Sequence, residues 1–395
     1  MIENISSPVP ETWPYHGPDE IEAASRVLAS GLTNYWTGDN GRRFEEEFAA
    51  YHGVRHAVAL ANGTVALEAA LAALDIGPGD EVIVPARTFV ASATAVVLRG
   101  ARPVFADVDR DSGNITAETI TDVLTPRTRA IITVHLGGWP CEMDPILALA
   151  RDRGLYVIED CAQSHGARYK GQLVGSLGDI GAFSFCQDKI LSTGGEGGMV
   201  VTNNEQYWQS AWSSKDHGKS WEAVYEREHP AGFRWVHDSF GSNWRLTEVQ
   251  AAIGRVQLTK LEGWVKRRQD NALLLKRLLG DLEALRIPEP PPHVKPAYYR
   301  FYMYIRPDRL RHAWTRDRVL ATLTEHGVPA TSGSCSEIYR ERCFADAGLQ
   351  PATRLRIAQE LGETSVALPV HPTLSGDRLG AWAESIRAVV RGAAR

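Results

Sequence analysis

The sequence predicts an α/β architecture: a mostly parallel central sheet with helices on both faces, followed by a smaller α+β C-terminal domain. Three observations predict it. Between residues 55 and 205, short apolar runs alternate with helical patterns, as expected for strands covered on both sides. One long helical pattern then runs from Leu246 to about Leu279. Beyond it, the stiff connector Pro288-Glu-Pro-Pro-Pro292 leads into a single strand and several helices. A chain of 395 residues, 44% hydrophobic, buries large cores and divides in two. The large domain is placed at 1–262, N-terminal segment included, and the small one at 263–395.

Taken in order, the expected strands are His56–Ala61, Glu81–Pro85, Pro103–Asp107, Ala130–His135, Leu155–Asp160, Gly181–Phe185 and Gly198–Thr202. Each is short and apolar nearly throughout. Thr64–Leu74, rich in Ala and Leu, reads as a strong helix. In the C-terminal part, Tyr299–Ile305 reads as a strand, and Thr315–His326, Ala352–Leu361 and Gly376–Val390 as helices. Tyr207–Phe240 is the least regular stretch. Its Trp208, Trp212, Trp221 and Trp235 suit a subunit contact slightly better than a loop over substrate.

Chemistry concentrates in three places. Lys189 follows the apolar run ending at Phe185 and opens the turn to Gly195-Glu-Gly-Gly198. A lysine delivered there can lose its hydration, which lowers its pKa and frees a nucleophilic amine. Most lysines after strands are simply solvated. Asp160 ends the run Leu155–Ile158, where open α/β sheets bind ligands, although an acid there also serves as a turn cap. Asn62-Gly63-Thr64 joins a strand to a helix, so backbone N–H groups and the helix dipole can meet an anion. Ser184 adds a hydroxyl. Ordinary capping by Asn62 accounts for the same residues.

The order Asn62-Gly63-Thr64-Val-Ala-Leu67, Thr88-Phe89-Val-Ala-Ser92, Asp107-Val-Asp109, Val134-His-Leu136, Glu159-Asp160-Cys-Ala-Gln163, Ser184-Phe with Lys189, and Gly195-Glu-Gly-Gly198 resembles the DegT-like aminotransferases. Gly241-Ser-Asn243-Trp-Arg245-Leu-Thr-Glu248 continues the likeness, which spans about residues 10–262 and is vaguer beyond. The resemblance implies the fold-type-I transferase fold and pyridoxal phosphate (PLP, alternating with its amine form PMP) as cofactor. It implies an amino transfer from an amino acid such as glutamate to a keto sugar, usually nucleotide-linked, by a ping-pong mechanism.

Carried residue by residue, the resemblance makes Lys189 the Schiff-base lysine of the internal aldimine and the proton shuttle. Asp160 would pair with the pyridinium nitrogen, Phe89 would stack on the ring, and Gln163 would lie near the ring substituents. Gly63, Thr64 and Ser184 would bind the phosphate. Asn243 would reach the phosphate of the neighbouring subunit, so a homodimer with shared sites is implied. His217, Trp139 and Glu337 are candidates for substrate contact, with a plain loop role open for His217 and for the segment Ser334–Tyr339.

Two departures from the family pattern bear on these roles. Asp188 stands before the lysine where a small polar residue, Thr or Asn is usual, and it is expected to point away. Leu136-Gly-Gly138-Trp139-Pro140 replaces a Tyr-Gly motif. The alternatives on the same scaffold are a cyclitol ketone or an amino-aromatic precursor as substrate, and a non-catalytic binding protein.

Composition excludes other classes. A net charge of −5 and a pI near 6.2 argue against nucleic-acid or membrane-surface binding. No span long enough for a bilayer is visible, and Met1–Ile5 lacks a charged leader, which points to the cytoplasm. Five scattered cysteines, without C-x-x-C or zinc spacing, fit a reducing compartment. Of these, Cys161 and Cys186 fall near the site and suit packing. His135, His165, His217 and His371 are too dispersed to suggest a metal.

Overall fold

The computed structural model describes residues 11–395; the first ten residues, including the Met1–Ile5 stretch and the start of the 1–262 span, lie outside the described residues. Helices α1 (Pro18–Ser30) and α2 (Asn40–His52) precede strand β1 (His56–Leu60). There follow α3 (Gly63–Ala73), β2 (Glu81–Pro85), α4 (Ala91–Leu98), β3 (Arg102–Ala106), α5 (Ala117–Thr121), β4 (Thr128–Val134), α6 (Met143–Arg153) and β5 (Tyr156–Asp160). A small hairpin, β6 (Arg168–Tyr169) and β7 (Gln172–Leu173), leads to β8 (Ile180–Ser184) and β9 (Gly198–Thr202).

Seven of these strands form one sheet in the order β1-β9-β8-β5-β4-β2-β3. Within it β3, β2, β4, β5 and β8 run parallel, and β9 is antiparallel to both its neighbours. Every residue of β2, β8 and β9 is buried, which is why these runs read as apolar without alternation. Parallel order brings the carboxyl ends of β2, β4, β5 and β8 to one edge, next to the N-terminus of α3. That edge carries the site.

Sequence and structure differ most after β9. The stretch expected to be irregular holds α7 (Glu205–Lys215) and α8 (Trp221–Tyr225). Trp212 is 1% exposed and packs edge-on against Trp221, while Trp208 lies 4.7 Å from Trp221 and stacks on His56. Trp212 therefore belongs to the fold's own core, and the half-buried Trp208 and Trp221 pack against it. Trp235, by contrast, is 79% exposed beside Phe233.

Helix α9 (Glu248–Leu279) is capped by Thr247, whose hydroxyl accepts from the Gln250 N–H while Gln250 accepts in return. It runs unbroken through residue 262 and contributes to both large hydrophobic clusters. After it come β10 (Leu285–Arg286), β11 (Val294–Lys295), β12 (Phe301–Ile305), α10 (Arg316–Glu325), α11 (Arg342–Asp346), α12 (Arg356–Thr364), β13 (Ser365–Leu368) and α13 (Gly376–Ala393). Strands β10, β12 and β13 form a second, antiparallel sheet under α13 and α10. Ile338, Tyr339, Phe344 and Leu361 pack instead on the first cluster. No helix of the described residues is long and apolar enough to cross a membrane.

Candidate active site

A cavity of about 950 Å³ opens at the carboxyl edge of the main sheet. Gly63, Thr64, Phe89, Asp160, Gln163, Ser184 and Lys189, drawn from four separate segments, all line it. At one end is the start of α3. Asn62 caps it by accepting from the Val65 N–H at 3.0 Å, which leaves the N–H groups of Gly63 and Thr64 without an intrahelical partner. A Cβ on Gly63 would lie 2.5 Å from the Ser184 Cβ, so only glycine lets the end of β8 approach this helix end. The result is a narrow cradle of N–H groups and hydroxyls, suited to a phosphate.

At the other end Asp160 closes β5. Its Oδ2 accepts from Ser92 Oγ at 2.8 Å and its Oδ1 from the Ala162 N–H at 3.1 Å. Because Ser92 donates to the carboxylate, Thr88 donates to Ser92 at 2.9 Å. Burial pushes the Asp160 carboxyl above the usual carboxylate range, against the opposing pull of Ser92, Ala162 and Lys189. An under-compensated carboxylate of this kind is ready for a cationic N–H. Gln163 accepts from the Gly137 N–H at 2.7 Å through Oε1, which leaves its amide nitrogen uncommitted. Phe89 is 65% exposed and keeps a ring face free for a flat ligand. Phosphate cradle, aromatic cover, carboxylate and lysine fit pyridoxal phosphate.

Lys189 corrects the sequence reading in two ways. Asp188 does not point away: it lines the same cavity, with Oδ1 3.5 Å from Lys189 Nζ. The lysine is not driven toward neutrality either. Burial pulls its pKa down, but Tyr299, Asp188, Cys186 and Asp160 together outweigh burial, and the net direction is upward. Trp13 Nε1 donates to the Lys189 carbonyl at 2.7 Å and pins the turn.

Four expected residues lie off this cavity. Glu337 is spent on an ion pair with Arg354, whose Nε and Nη2 donate at 2.7 and 2.6 Å, and on the Tyr339 hydroxyl at 2.5 Å. The expected contact of Glu337 with substrate is therefore corrected; Ser334, Cys335 and Ile338 of that segment line the cavity instead. Trp139 is half-buried, held by Asn114 through its carbonyl at 2.8 Å. His217, exposed and at φ 58°, donates its N–H to Ser242 next to the exposed Asn243, and neither lines this chain's cavity.

The sequence reading assigned no role to Ser92, Tyr299 or Arg300, all of which line the cavity. The signal for the last two was the departure at Leu136-Gly-Gly138. A Cβ on Gly138 would lie 2.9 Å from the backbone nitrogens of Tyr298 and Tyr299, and one on Gly137 2.8 Å from the Tyr302 ring. The glycine pair therefore admits the 298–302 segment to the site. Beneath it, His135, Glu159 and Cys161 offer ligand atoms within 4.8 Å of one another. His135 Nε2 donates to Glu159 at 3.0 Å and its Nδ1 accepts from the Cys141 N–H, so both its nitrogens are committed.

A lysine, a carboxylate and an anion cradle on one edge of such a sheet define a pyridoxal phosphate transferase of fold type I. The chain belongs to the DegT/DnrJ/EryC1/StrS aminotransferase family, whose model matches residues 14–387. It is 37% identical to the UDP-N-acetyl-3-dehydro-alpha-D-glucosamine 3-aminotransferase of Acidithiobacillus ferrooxidans, over 99% of this chain and 100% of that protein. It is 35% identical to the GDP-perosamine synthase of Escherichia coli O157:H7, over 94% of this chain and 97% of the other. The crystal structure of the aminotransferase from Psychrobacter cryohalolentis is 51% identical and superposes with a TM-score of 0.95, covering 97% and 99% of the two chains. The protein is a PLP-dependent aminotransferase.

Proposed function

We propose that the protein transfers an amino group from glutamate to a nucleotide-linked keto sugar, in two half-reactions of a ping-pong cycle. The observation that carries this reading is the convergence of seven expected residues on one cavity, with Lys189 and Asp160 both on its wall. The names of the two relatives support a nucleotide-linked sugar; they carry different nucleotides, UDP and GDP, so the choice of nucleotide is left open.

Gly63, Thr64 and Ser184 hold the cofactor's phosphate through N–H groups and hydroxyls at the helix start. Asp160, kept in place by Ser92, retains a proton on the ring nitrogen. Phe89 covers the ring and excludes water from one side. With the cofactor in place, Lys189 Nζ would take the proton from the substrate carbon and deliver it to the cofactor's C4′, and carry it in the reverse sense in the other half-reaction. Bound pyridoxal phosphate supplies the electron sink that makes this proton labile. Asn243, on the surface of this chain, reaches the phosphate of a second copy in a homodimer. Five free thiols fit a cytoplasmic location.

The test is the visible absorbance of the purified protein loaded with pyridoxal phosphate. Glutamate should bleach the yellow band and a nucleotide-linked keto sugar should restore it, whereas Lys189→Ala should not form the band normally. A band untouched by glutamate would exclude glutamate as donor.

A further inference from the structure

Asp188 stands next to the reactive lysine, and the fold turns it inward. Its Oδ1 is 3.5 Å from Lys189 Nζ, and its Oδ2 accepts the Tyr299 hydroxyl. Tyr299 in turn offers its ring to two cations, Lys189 Nζ at 5.1 Å and Arg300 Cζ at 5.2 Å from the centroid. Tyr299 and Asp188 come from segments 111 residues apart, and the glycine pair at 137–138 is what lets them meet.

We propose that Asp188, anchored by Tyr299, is a positioning residue that holds the Lys189 ammonium inside the cavity whenever the lysine is not bonded to cofactor. This inference rests on Lys189 being the cofactor lysine. Without a carboxylate, an amine buried this deeply would shed its proton or swing out. With one, it stays charged, fixed and ready to deliver its proton at a defined point. The other groups facing Nζ are Cys186 on the same turn, Asp160 at the end of β5, and Tyr299 with its flanking Arg300; His165, buried nearby, is pushed down to about 3 by burial and the cations around it, Lys189 among them, and is neutral. Burial pushes the Tyr299 phenol up, so at neutral pH it is an O–H donor to Asp188, the carboxylate that stands 3.5 Å from Nζ. Asp188 itself is disfavoured by burial, but Lys189, Tyr299 and Arg300 together hold its carboxyl below the usual range.

The test uses the full-length protein freed of cofactor. Trace acetylation by acetic anhydride at fixed pH, read at the Lys189 peptide by mass spectrometry against an exposed lysine such as Lys266, reports the neutral fraction of each amine. Asp188→Asn, close to isosteric, should speed Lys189 labelling about tenfold or more, the effect of losing one adjacent opposite charge. Tyr299→Phe should shift it in the same direction, and Asp188→Glu should restore slow labelling. An unchanged Lys189 rate in Asp188→Asn, with Lys266 labelling and folded circular dichroism as in wild type, would overturn the proposal. Failure of the wild-type protein to take up pyridoxal phosphate would instead sink the functional reading, independently of the labelling result.

Discussion

Glu159 and Asp160 are neighbours on β5, both buried, and they face opposite sides of the strand. Glu159 accepts four hydrogen bonds: from His135 Nε2 at 3.0 Å and from the N–H groups of Gly175, Leu177 and Gly178 at 2.8, 2.7 and 2.7 Å. Burial opposes its charge, but these donors win and its carboxyl sits below the usual range. Asp160 has two donors, and burial wins. The difference teaches how to tell a structural carboxylate from one kept for a ligand. The first is saturated by its own protein; the second is left short of partners at the edge of a cavity.

The sharpest test exchanges charge for loss at each position. Glu159→Ala strands His135 and three N–H groups, and should cost about 3–5 kcal/mol of folding stability in urea titrations. Asp160→Asn should leave stability of the cofactor-free protein within about 1 kcal/mol of wild type or raise it, since a poorly compensated buried charge is removed. Its kcat/KM in transamination should nevertheless fall by about 10²–10³-fold. If the two substitutions destabilised equally, the contrast would be broken.

Acid titration sharpens the same comparison, because the two groups contribute slopes of opposite sign. Glu159, depressed in the fold, contributes stability that is present above its ordinary value of 4.5 and lost as pH falls through its lower folded value. Asp160, raised in the fold, binds its proton more tightly folded than unfolded. Stability therefore falls as pH climbs from its ordinary 3.8 through the folded value. Glu159→Gln should flatten the acid limb of urea midpoints against pH, and Asp160→Asn should steepen the rise just above pH 4. Identical profiles would show that neither carboxyl has the environment described.

Of intermediate size is Gly63→Ala. The new Cβ would fall 2.5 Å from the Ser184 Cβ, and relieving that overlap costs about 1–3 kcal/mol. Because the strain sits in the phosphate cradle, pyridoxal phosphate affinity in an absorbance titration should weaken about tenfold or more.

Much of this was legible in the chain itself. Fully apolar strands, the Asn62-Gly63-Thr64 turn, Asp160 at a strand end and Lys189 before a glycine-rich turn are local patterns, and the fold carries them to one place. What was not legible depends on register across the molecule. The approach of Tyr299 and Arg300 rests on two glycines more than 150 residues away, and the inward turn of Asp188 rests on Tyr299. Trp208 and Trp212 are four residues apart on α7, a spacing that marks a helical face, yet the surrounding charges made the stretch read as loop. Their burial follows from helix α7 lying on β1 and α3.

The smallest effect expected concerns Ser92, which separates anchoring from charge. It supplies one of the two hydrogen bonds to Asp160, and Ser92→Ala also leaves the Thr88 hydroxyl without its acceptor. Loss of a hydrogen bond to a charged group is worth about 1.5–3 kcal/mol at most. The Ala162 N–H remains, so kcat/KM should fall about tenfold, well short of the Asp160→Asn loss. The carboxyl, with one donor fewer, should shift further upward, so the acid limb of the pH–rate profile should move to higher pH. A loss equal to that of Asp160→Asn would mean that Ser92 alone holds the carboxylate in its working position, and that the two-donor description of this face of β5 is wrong.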